Sequence, residues 1–115
     1  MLHTTLSQPH WDELSLSEQL ANIGSEVLRA LNWQKKGNAP YATLAFHRAL
    51  ELVDFSLHSG YTVETLRELT RTREALVDYF DGDNTFASSE RTWRTYFMAF
   101  TYAAALKRER NKRVE

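Results

Sequence analysis

The fold is decided by residues 40–59, which read PYATLAFHRALELVDFSLHS. At about 100° per residue, the apolar side chains of this stretch fall on one arc of a helix. They are Ala42, Ala45, Phe46, Ala49, Leu52, Val53 and Leu57, with Leu50 at the edge. A narrower stripe of Leu44 and Phe55 lies toward another side. The pattern predicts a central helix with a neighbour on each of two sides.

The same helical period recurs before and after this stretch. Ser15 and Glu18 have the spacing of a capping box, which starts the preceding helix. Gly24 lies beside the buried stripe of that helix and predicts a close helix crossing. Thr62 is placed to cap a third helix, and Ser88 or Ser89 with Glu90 to start a fourth. The three buried stripes comprise Leu16, Leu20, Ile23, Val27 and Leu31; Leu66, Leu69, Leu76, Val77 and Phe80; and Trp93, Tyr96, Phe97, Phe100, Ala103 and Ala104.

Short connections between these helices predict antiparallel neighbours. We therefore expect an all-α protein, an antiparallel four-helix bundle with up-down-up-down topology. Residues 15–106 form the bundle domain, and residues 107–115 form a basic, solvated C-terminal end. Residues 1–14 show no helical period and form a short N-terminal arm. Trp11 and Leu14 are expected to pin that arm against the bundle.

Composition excludes several classes of protein. The chain has 115 residues, enough for one domain, and it contains no cysteine, so it has no disulfide, thiolate metal site or cysteine nucleophile. Its N-terminal residues lack the pattern of a secretory signal, and no stretch approaches the roughly 18 apolar residues of a membrane span. We expect a cytoplasmic protein without membrane contact. The net charge of −1 argues against nucleic-acid binding as the main function.

One polar row runs opposite the buried face of the first long helix. It comprises Asn22, Glu26, Arg29 and Trp33. Because exposed tryptophan is enriched at binding hot spots, this row is a candidate recognition surface. The alternative is that Trp33 packs under the N-terminal arm.

A second polar row has the spacing of metal ligands. It comprises His47, Glu51, Asp54 and His58, on the face of the central helix that points away from the apolar arc. A solvated face is the favoured interpretation, so we predict no metal and no cofactor. The loop from Asp81 to Asn84 is rejected as a calcium site, because the glycine and glutamate that such a loop requires are replaced by Phe86 and Thr92.

Arg73 interrupts the apolar stripe of the third helix. An unpaired buried guanidinium costs several kcal/mol, so Arg73 needs a partner or an open cleft. Asp78, Glu26 and Asp54 are the candidate partners. Arg73 is then either part of a structural ion pair or an anion-binding group in a cleft.

The last helix is apolar nearly all round, which a helix on the outside of a small monomer does not need. It is therefore central or part of a subunit interface, and we predict a homo-oligomer, with a dimer favoured. The predicted interface residues are Trp93, Phe97, Met98, Tyr102 and Leu106. The alternative is a nucleic-acid partner. In that case the basic C-terminal end would contact phosphates, and the aromatic residues of this helix would stack on bases.

Four segments carry a resemblance to known proteins: residues 18–27 (EQLANIGSEV), 48–51 (RALE), 72–74 (TRE) and 79–84 (YFDGDN). With these segments the chain resembles a small uncharacterised prokaryotic helical-bundle family, over about residues 13–106. More loosely, residues 41–57 are similar to the second helix of HEPN-type bundles, which accompany nucleotidyltransferases and include dimeric RNA-cleaving toxins. The ribonuclease members carry an arginine and a histidine separated by four to six residues, and no arginine of this chain is followed by a histidine at that spacing.

No nucleophile motif, phosphate-binding loop or paired-carboxylate cleft is evident in the sequence. The sequence therefore favours a non-enzymatic, self-associating helical-bundle interaction module. The alternative is a HEPN-like RNA-associated protein, or the partner of a nucleotidyltransferase. That RNA-binding alternative would use Arg67, Arg71 and Arg73 together with the basic end.

Overall fold

The computed structural model describes residues 6–114, except for the side chains of residues 113 and 114. This part of the chain is helical and contains no strand, which confirms the predicted all-α class. Four helices are long and one is short. They are α1 (Gln8–Asp12), α2 (Leu16–Lys35), α3 (Ala39–Leu57), α4 (Val63–Asp81) and α5 (Glu90–Val114).

Side-chain caps define where the long helices begin. The Ser15 hydroxyl accepts a hydrogen bond from the Glu18 amide, and the Glu18 carboxylate accepts one from the Ser15 amide at 2.9 Å, which confirms the capping box. At the start of α3 the Asn38 side chain accepts from the Tyr41 amide, and at the start of α4 the Thr62 hydroxyl accepts from the Thr65 amide. The Ser89 hydroxyl accepts from the Thr92 amide at 3.1 Å, directly before α5. The helix starts predicted from Ser15, Thr62 and Ser89 are therefore confirmed.

The core lies where α2 packs against α3 and α5, and where α3 packs against α4. Its fully buried large side chains include Ile23, Leu31, Leu69, Leu76 and Phe97. Gly24 lies against α5, because a Cβ atom added to it would be 2.6 Å from the Cβ of Phe97. The close helix crossing predicted at Gly24 is confirmed.

Residues 8–12 form the short helix α1, so the expectation that the N-terminal arm lacks helix is wrong for this part. Ser7 caps α1 and Pro9 occupies its first turn, where proline is tolerated. The predicted anchoring role of Trp11 is confirmed, because its side chain is buried and its indole Nε1 donates to the hydroxyl of Ser56 at 2.9 Å. Residues 1–5 of the predicted arm lie outside the described residues.

A buried hydrogen-bond network, the α1 anchor, joins α1 to α2 and α3. Its members are Trp11, Gln19 and Ser56. The Ser56 hydroxyl accepts from Trp11 and donates to Gln19 Oε1 at 2.8 Å. Gln19 Nε2 then donates to the Trp11 carbonyl at 3.0 Å. Each polar group of the network therefore has a partner, as burial requires.

The basic end continues α5 instead of forming a separate segment, since the helix runs to Val114. Ala103, Ala104 and Ala105 precede it, and alanine, lysine, arginine and glutamate all favour helix. Lys107 Nζ lies 3.9 Å from a carboxylate oxygen of Glu18 at the start of α2. None of the helices in residues 6–114 is both long enough and apolar enough to cross a membrane.

The loop between α4 and α5 is organised by Asp78. Its carboxylate accepts hydrogen bonds from the Thr85 amide and hydroxyl and from the Phe86 amide, at 2.8 to 3.0 Å. The bond from the Phe86 amide, followed by those from Thr85, lowers the pKa of Asp78. Asn84 and Ala87 both adopt left-handed backbone angles in this loop. The Asp78 carboxylate is therefore engaged by hydrogen bonds within the loop. The Phe86 side chain is exposed at the loop tip.

Candidate functional site

A cavity of about 350 Å³ lies between α2, α1 and the residues that flank α1; we call it the α2 cavity. It brings together three of the four residues of the predicted recognition row, Asn22, Glu26 and Arg29. The described lining consists of Leu6, Trp11, Leu14, Asn22, Ser25, Glu26, Arg29 and Leu52. A wall of apolar side chains therefore faces a set of polar ones, as in most small-molecule sites.

Glu26 is the charged group of this cavity that is withdrawn from solvent. Its side chain is only 9% exposed, whereas that of Arg29 is 47% exposed. Arg29 Nη1 donates to the two carboxylate oxygens of Glu26 at 3.0 and 3.4 Å. The ion pair thus has a buried anionic member and a solvated cationic one.

Asn22 and Ser25, the polar neighbours of Glu26, each donate a hydrogen bond to a backbone carbonyl of α2. Asn22 Nδ2 donates to the Glu18 carbonyl at 2.9 Å. The Ser25 hydroxyl donates to the Ala21 carbonyl at 3.1 Å. Asn22 and Ser25 therefore keep acceptor capacity, since an amide oxygen and a hydroxyl oxygen each carry lone pairs.

A second cavity of about 290 Å³ adjoins the first and lies between α2 and α5. The two cavities share Leu14, Asn22 and Ser25. Glu18 and Arg108 bring charge to the second one. The pKa of Glu18 is lowered, chiefly by the hydrogen bond from the Ser15 amide. Glu18 is thereby occupied with capping α2.

Trp33, the fourth member of the predicted row, does not join the described lining of the α2 cavity. It lies seven residues beyond Glu26 on α2, about 10 Å along the helix axis. Its ring packs edge-on against Tyr41, with ring centroids 4.8 Å apart, and Lys36 Nζ lies 5.1 Å from its centroid. The structure thus places Trp33 in a separate contact between α2 and α3.

Arg73 pairs with Asp54, one of its three candidate partners. Arg73 Nε and Nη2 donate to the two oxygens of the Asp54 carboxylate at 2.8 and 3.2 Å. The hydrogen bond to Asp54 raises the pKa of Arg73. Both side chains are partly exposed, at 35% and 46%. Arg73 therefore forms a bidentate ion pair between α3 and α4 at the edge of the core.

The ion pair with Arg73 engages Asp54, which is one of the four residues of the polar row on α3. Asp54 binds Arg73, and the imidazole Nδ1 of His58 lies 2.7 Å from the Asp54 carbonyl oxygen. His47 is exposed and its ring lies beside Phe46. Within residues 6–114, no group of three or more histidine, aspartate or glutamate side chains is arranged to hold a metal ion.

The five predicted interface residues of α5 separate into two groups. Trp93 and Phe97 are buried in the core of their own chain, at 6% and 0% exposure. Trp93 Nε1 has no hydrogen-bond partner among the described residues. Met98, Tyr102 and Leu106 are exposed at 66%, 67% and 46%, and we call these three the α5 row. Of the predicted interface, the α5 row is the part that a partner can reach.

The apolar wall of the α2 cavity is the part of the site that sequence reasoning missed. Trp11 and Leu14 come from the arm and Leu52 comes from α3, and no local pattern links these residues to Asn22 or Glu26. The anchoring role predicted for Trp11 and Leu14 was the one available signal, because it placed the arm against the bundle.

No protein-family model, curated protein or solved structure matches this chain.

Proposed function

We propose that this protein is a non-enzymatic interaction module that self-associates through α5. In this proposal the four long helices form an antiparallel bundle with up-down-up-down topology, and the α5 row meets the same row of a second copy. The observation that carries the proposal is the exposure of Met98, Tyr102 and Leu106 in a single row.

Contacts between helices support the antiparallel arrangement. Arg94, early in α5, donates to Asn32, late in α2, at 2.8 Å. Later in α5, Lys107 lies near Glu18, at the start of α2. Opposite ends of α2 thus meet opposite ends of α5, as antiparallel neighbours require.

The α3 and α4 helices show the same crossed order. Phe46, early in α3, stacks on Phe80, late in α4, with ring centroids 5.1 Å apart. Asp54, late in α3, pairs with Arg73, seven residues before Phe80 in α4. This order also supports an antiparallel pair.

The α5 row has the symmetry that a twofold interface needs. Tyr102 is the middle residue of the 25-residue helix, and Met98 and Leu106 lie four residues to either side of it. If two copies of α5 pair antiparallel about Tyr102, Met98 of each copy faces Leu106 of the other. Such an interface is self-complementary, because the same patch serves both subunits.

Helical spacing makes the row continuous. Residues at i, i+4 and i+8 lie along one side of a helix, here over about 12 Å. Ala99 and Ala105 beside the row are exposed as well, and their small side chains let a second helix approach. An exposed apolar patch rimmed by polar residues marks an interaction surface.

The test combines light scattering after size exclusion with charge-swap variants. Met98→Glu and Leu106→Lys should each give a monomer at tens of micromolar, where the unmodified protein is dimeric. Mixing the two single variants should restore a dimer, because the carboxylate introduced in one chain then faces the ammonium introduced in the other. Leu44→Lys is the matched control, since Leu44 is exposed to a similar degree, at 50%, on α3.

The absence of cysteine from the sequence allows a second test. Tyr102→Cys should form an intermolecular disulfide under mild oxidation, because the two copies of residue 102 meet at the symmetry axis. Leu44→Cys should not form one. A strict monomer for the unmodified protein would overturn the proposal, and failure of the mixed variants to pair would overturn the antiparallel register.

The second candidate function is RNA association. Arg67 and Arg71 are exposed one helical turn apart on α4, and Lys107, Arg108, Arg110 and Lys112 are exposed on α5. Arg73 is engaged by Asp54. If these cations bind phosphates, affinity for a single-stranded RNA must fall steeply as salt rises. Absence of binding in low salt, measured by fluorescence anisotropy, would exclude this candidate.

A further inference from the structure

We propose that the α2 cavity binds a primary ammonium group attached to an apolar body, such as an arylalkyl amine, with Glu26 as its counter-ion. This site is independent of the α5 row. It rests on the placement of a buried carboxylate beside two further hydrogen-bond acceptors and an apolar wall.

The Glu26 carboxylate has unused acceptor capacity. An ionised carboxylate offers about four lone-pair positions. Within residues 6–114, the hydrogen bonds to it come from Arg29 Nη1. A carboxylate withdrawn from bulk solvent is stabilised by further hydrogen-bond donors. A second cation at Glu26 would meet this need.

The acceptors around Glu26 match the donors of an ammonium group. Asn22 and Ser25 each donate one hydrogen bond to a backbone carbonyl, and Asn22 Oδ1 and Ser25 Oγ can each accept. Together with Glu26 they make three acceptor side chains lining one cavity. A primary ammonium has three N–H donors and no acceptor. A carboxylate or phosphate would instead meet the like charge of the buried Glu26 carboxylate, with which the Arg29 guanidinium is already paired.

The opposite wall fits an apolar body. Trp11, Leu14 and Leu52 line it, and the Trp11 indole N–H is already used by Ser56. The wall therefore offers hydrocarbon and an aromatic ring. A volume of about 350 Å³ lies in the range of small-molecule sites. A single aromatic ring on a short chain is the size of ligand that this space admits.

Arg29 lies on the solvent side of the α2 cavity and leaves the interior of the cavity open to a ligand. Its side chain is 47% exposed, so it reaches Glu26 from the solvent side. Ligand binding requires Arg29 to share the carboxylate, which has positions for both groups. The proposal therefore predicts that the charge of Glu26, and not that of Arg29, determines which ligand class binds.

The experiment is an NMR titration of the ¹⁵N-labelled full chain with 2-phenylethylamine, 2-phenylethanol and 3-phenylpropionate. These probes share the phenyl ring and differ in charge. We expect saturable shifts of the Trp11 indole and Ser25 amide signals with the amine, and at least tenfold weaker binding of the alcohol and the acid. Equal binding of the three probes, or tighter binding of the acid, would overturn the proposal.

Two variants assign the effect to the acceptors. Glu26→Gln keeps the shape and can still accept from Arg29, and it should weaken amine binding at least tenfold. Asn22→Leu removes one acceptor at an exposed position and should weaken it at least threefold. Glu13→Gln, at an exposed position outside the described lining, is the matched control and should leave binding unchanged. Unaltered binding by folded Glu26→Gln, or by Asn22→Leu if Glu26→Gln does not fold, contradicts the assignment.

Discussion

Gly24 of α2 and Phe97 of α5 are in direct contact, with no room for a side chain at position 24. A Cβ atom on Gly24 would lie 2.6 Å from the Cβ of Phe97 and 2.9 Å from its Cγ. Every residue except glycine has a Cβ atom at position 97, so rotation of the Phe97 side chain cannot relieve this clash. The separation of α2 and α5 therefore depends on the missing Cβ of Gly24.

Gly24→Ala should destabilise the protein although alanine is the better helix former. The clash costs about 1–3 kcal/mol if the helices must shift, and the gain in helix propensity is about 1 kcal/mol. We expect a net loss of up to about 2 kcal/mol in the free energy of unfolding, measured by urea denaturation. Ser25→Ala, at the adjacent exposed position, should change stability by less than about 0.5 kcal/mol. A stabilised Gly24→Ala variant would contradict the contact.

Gln19→Leu should break the α1 anchor while it preserves the volume of the side chain. The Ser56 hydroxyl then loses its acceptor in a buried site, and the Trp11 carbonyl keeps the hydrogen bond from the Leu14 amide but loses the one from Gln19. Leaving the Ser56 hydroxyl without an acceptor costs about 1–3 kcal/mol. Urea denaturation measures this loss, and faster amide exchange in residues 8–12 should accompany it. Gln34→Leu on the exposed part of α2 is the control, and equal stability of the two variants would refute the role of Gln19.

Asp78 should make the loop between α4 and α5 sensitive to acid. Its pKa in the folded protein lies below the ordinary value of 3.8. The stability that it contributes is therefore present above pH 3.8 and is lost as the pH falls through the folded-state pKa. Asp78→Asn should lower the urea midpoint at neutral pH, and the difference from the unmodified protein should shrink as the pH falls through the folded-state pKa of Asp78. A difference that is independent of pH would contradict this prediction, and Asp83→Asn in the same loop is the control.

Tyr96 should contribute a stability that is lost at alkaline pH. Burial raises its pKa to about 12; the hydrogen bond from Thr72 opposes this rise and the one donated to Glu68 adds to it. Because the folded-state pKa exceeds the ordinary value of 10.0, the contribution is complete below pH 10 and disappears between about pH 10 and 12. In a titration followed by tyrosinate absorbance, Tyr96→Phe should remove a step near pH 12. Tyr41→Phe, at an exposed site, is the control and should leave that step in place.

The local features of the fold could be predicted from the sequence because they depend on residues close together in the chain. The Ser15 capping box spans four residues, and the stripe containing Ile23 and Val27 follows from helical period alone. A close helix crossing could be predicted at Gly24 because a glycine beside a buried stripe has few other structural roles. These predictions needed no knowledge of which helices meet.

Features that depend on distant residues could not be predicted in the same way. The sequence left Arg73 with three candidate partners. In the structure Arg73 pairs with Asp54, Asp78 accepts from the α4–α5 loop, and Glu26 pairs with Arg29. Trp33 could not be assigned because its contact with Tyr41 depends on the turn between α2 and α3. The apolar wall of the α2 cavity joins three separate segments, so no periodicity indicates it.

The contact of α2 with both α3 and α5 has a consequence for synthesis on the ribosome. Helices α2 and α3 are consecutive and can pair as soon as both have emerged. The α5 helix is translated later, so the glycine-containing side of α2 stays uncovered until its partner arrives. A nascent chain arrested after α4 would expose this apolar groove to chaperones and to other nascent chains.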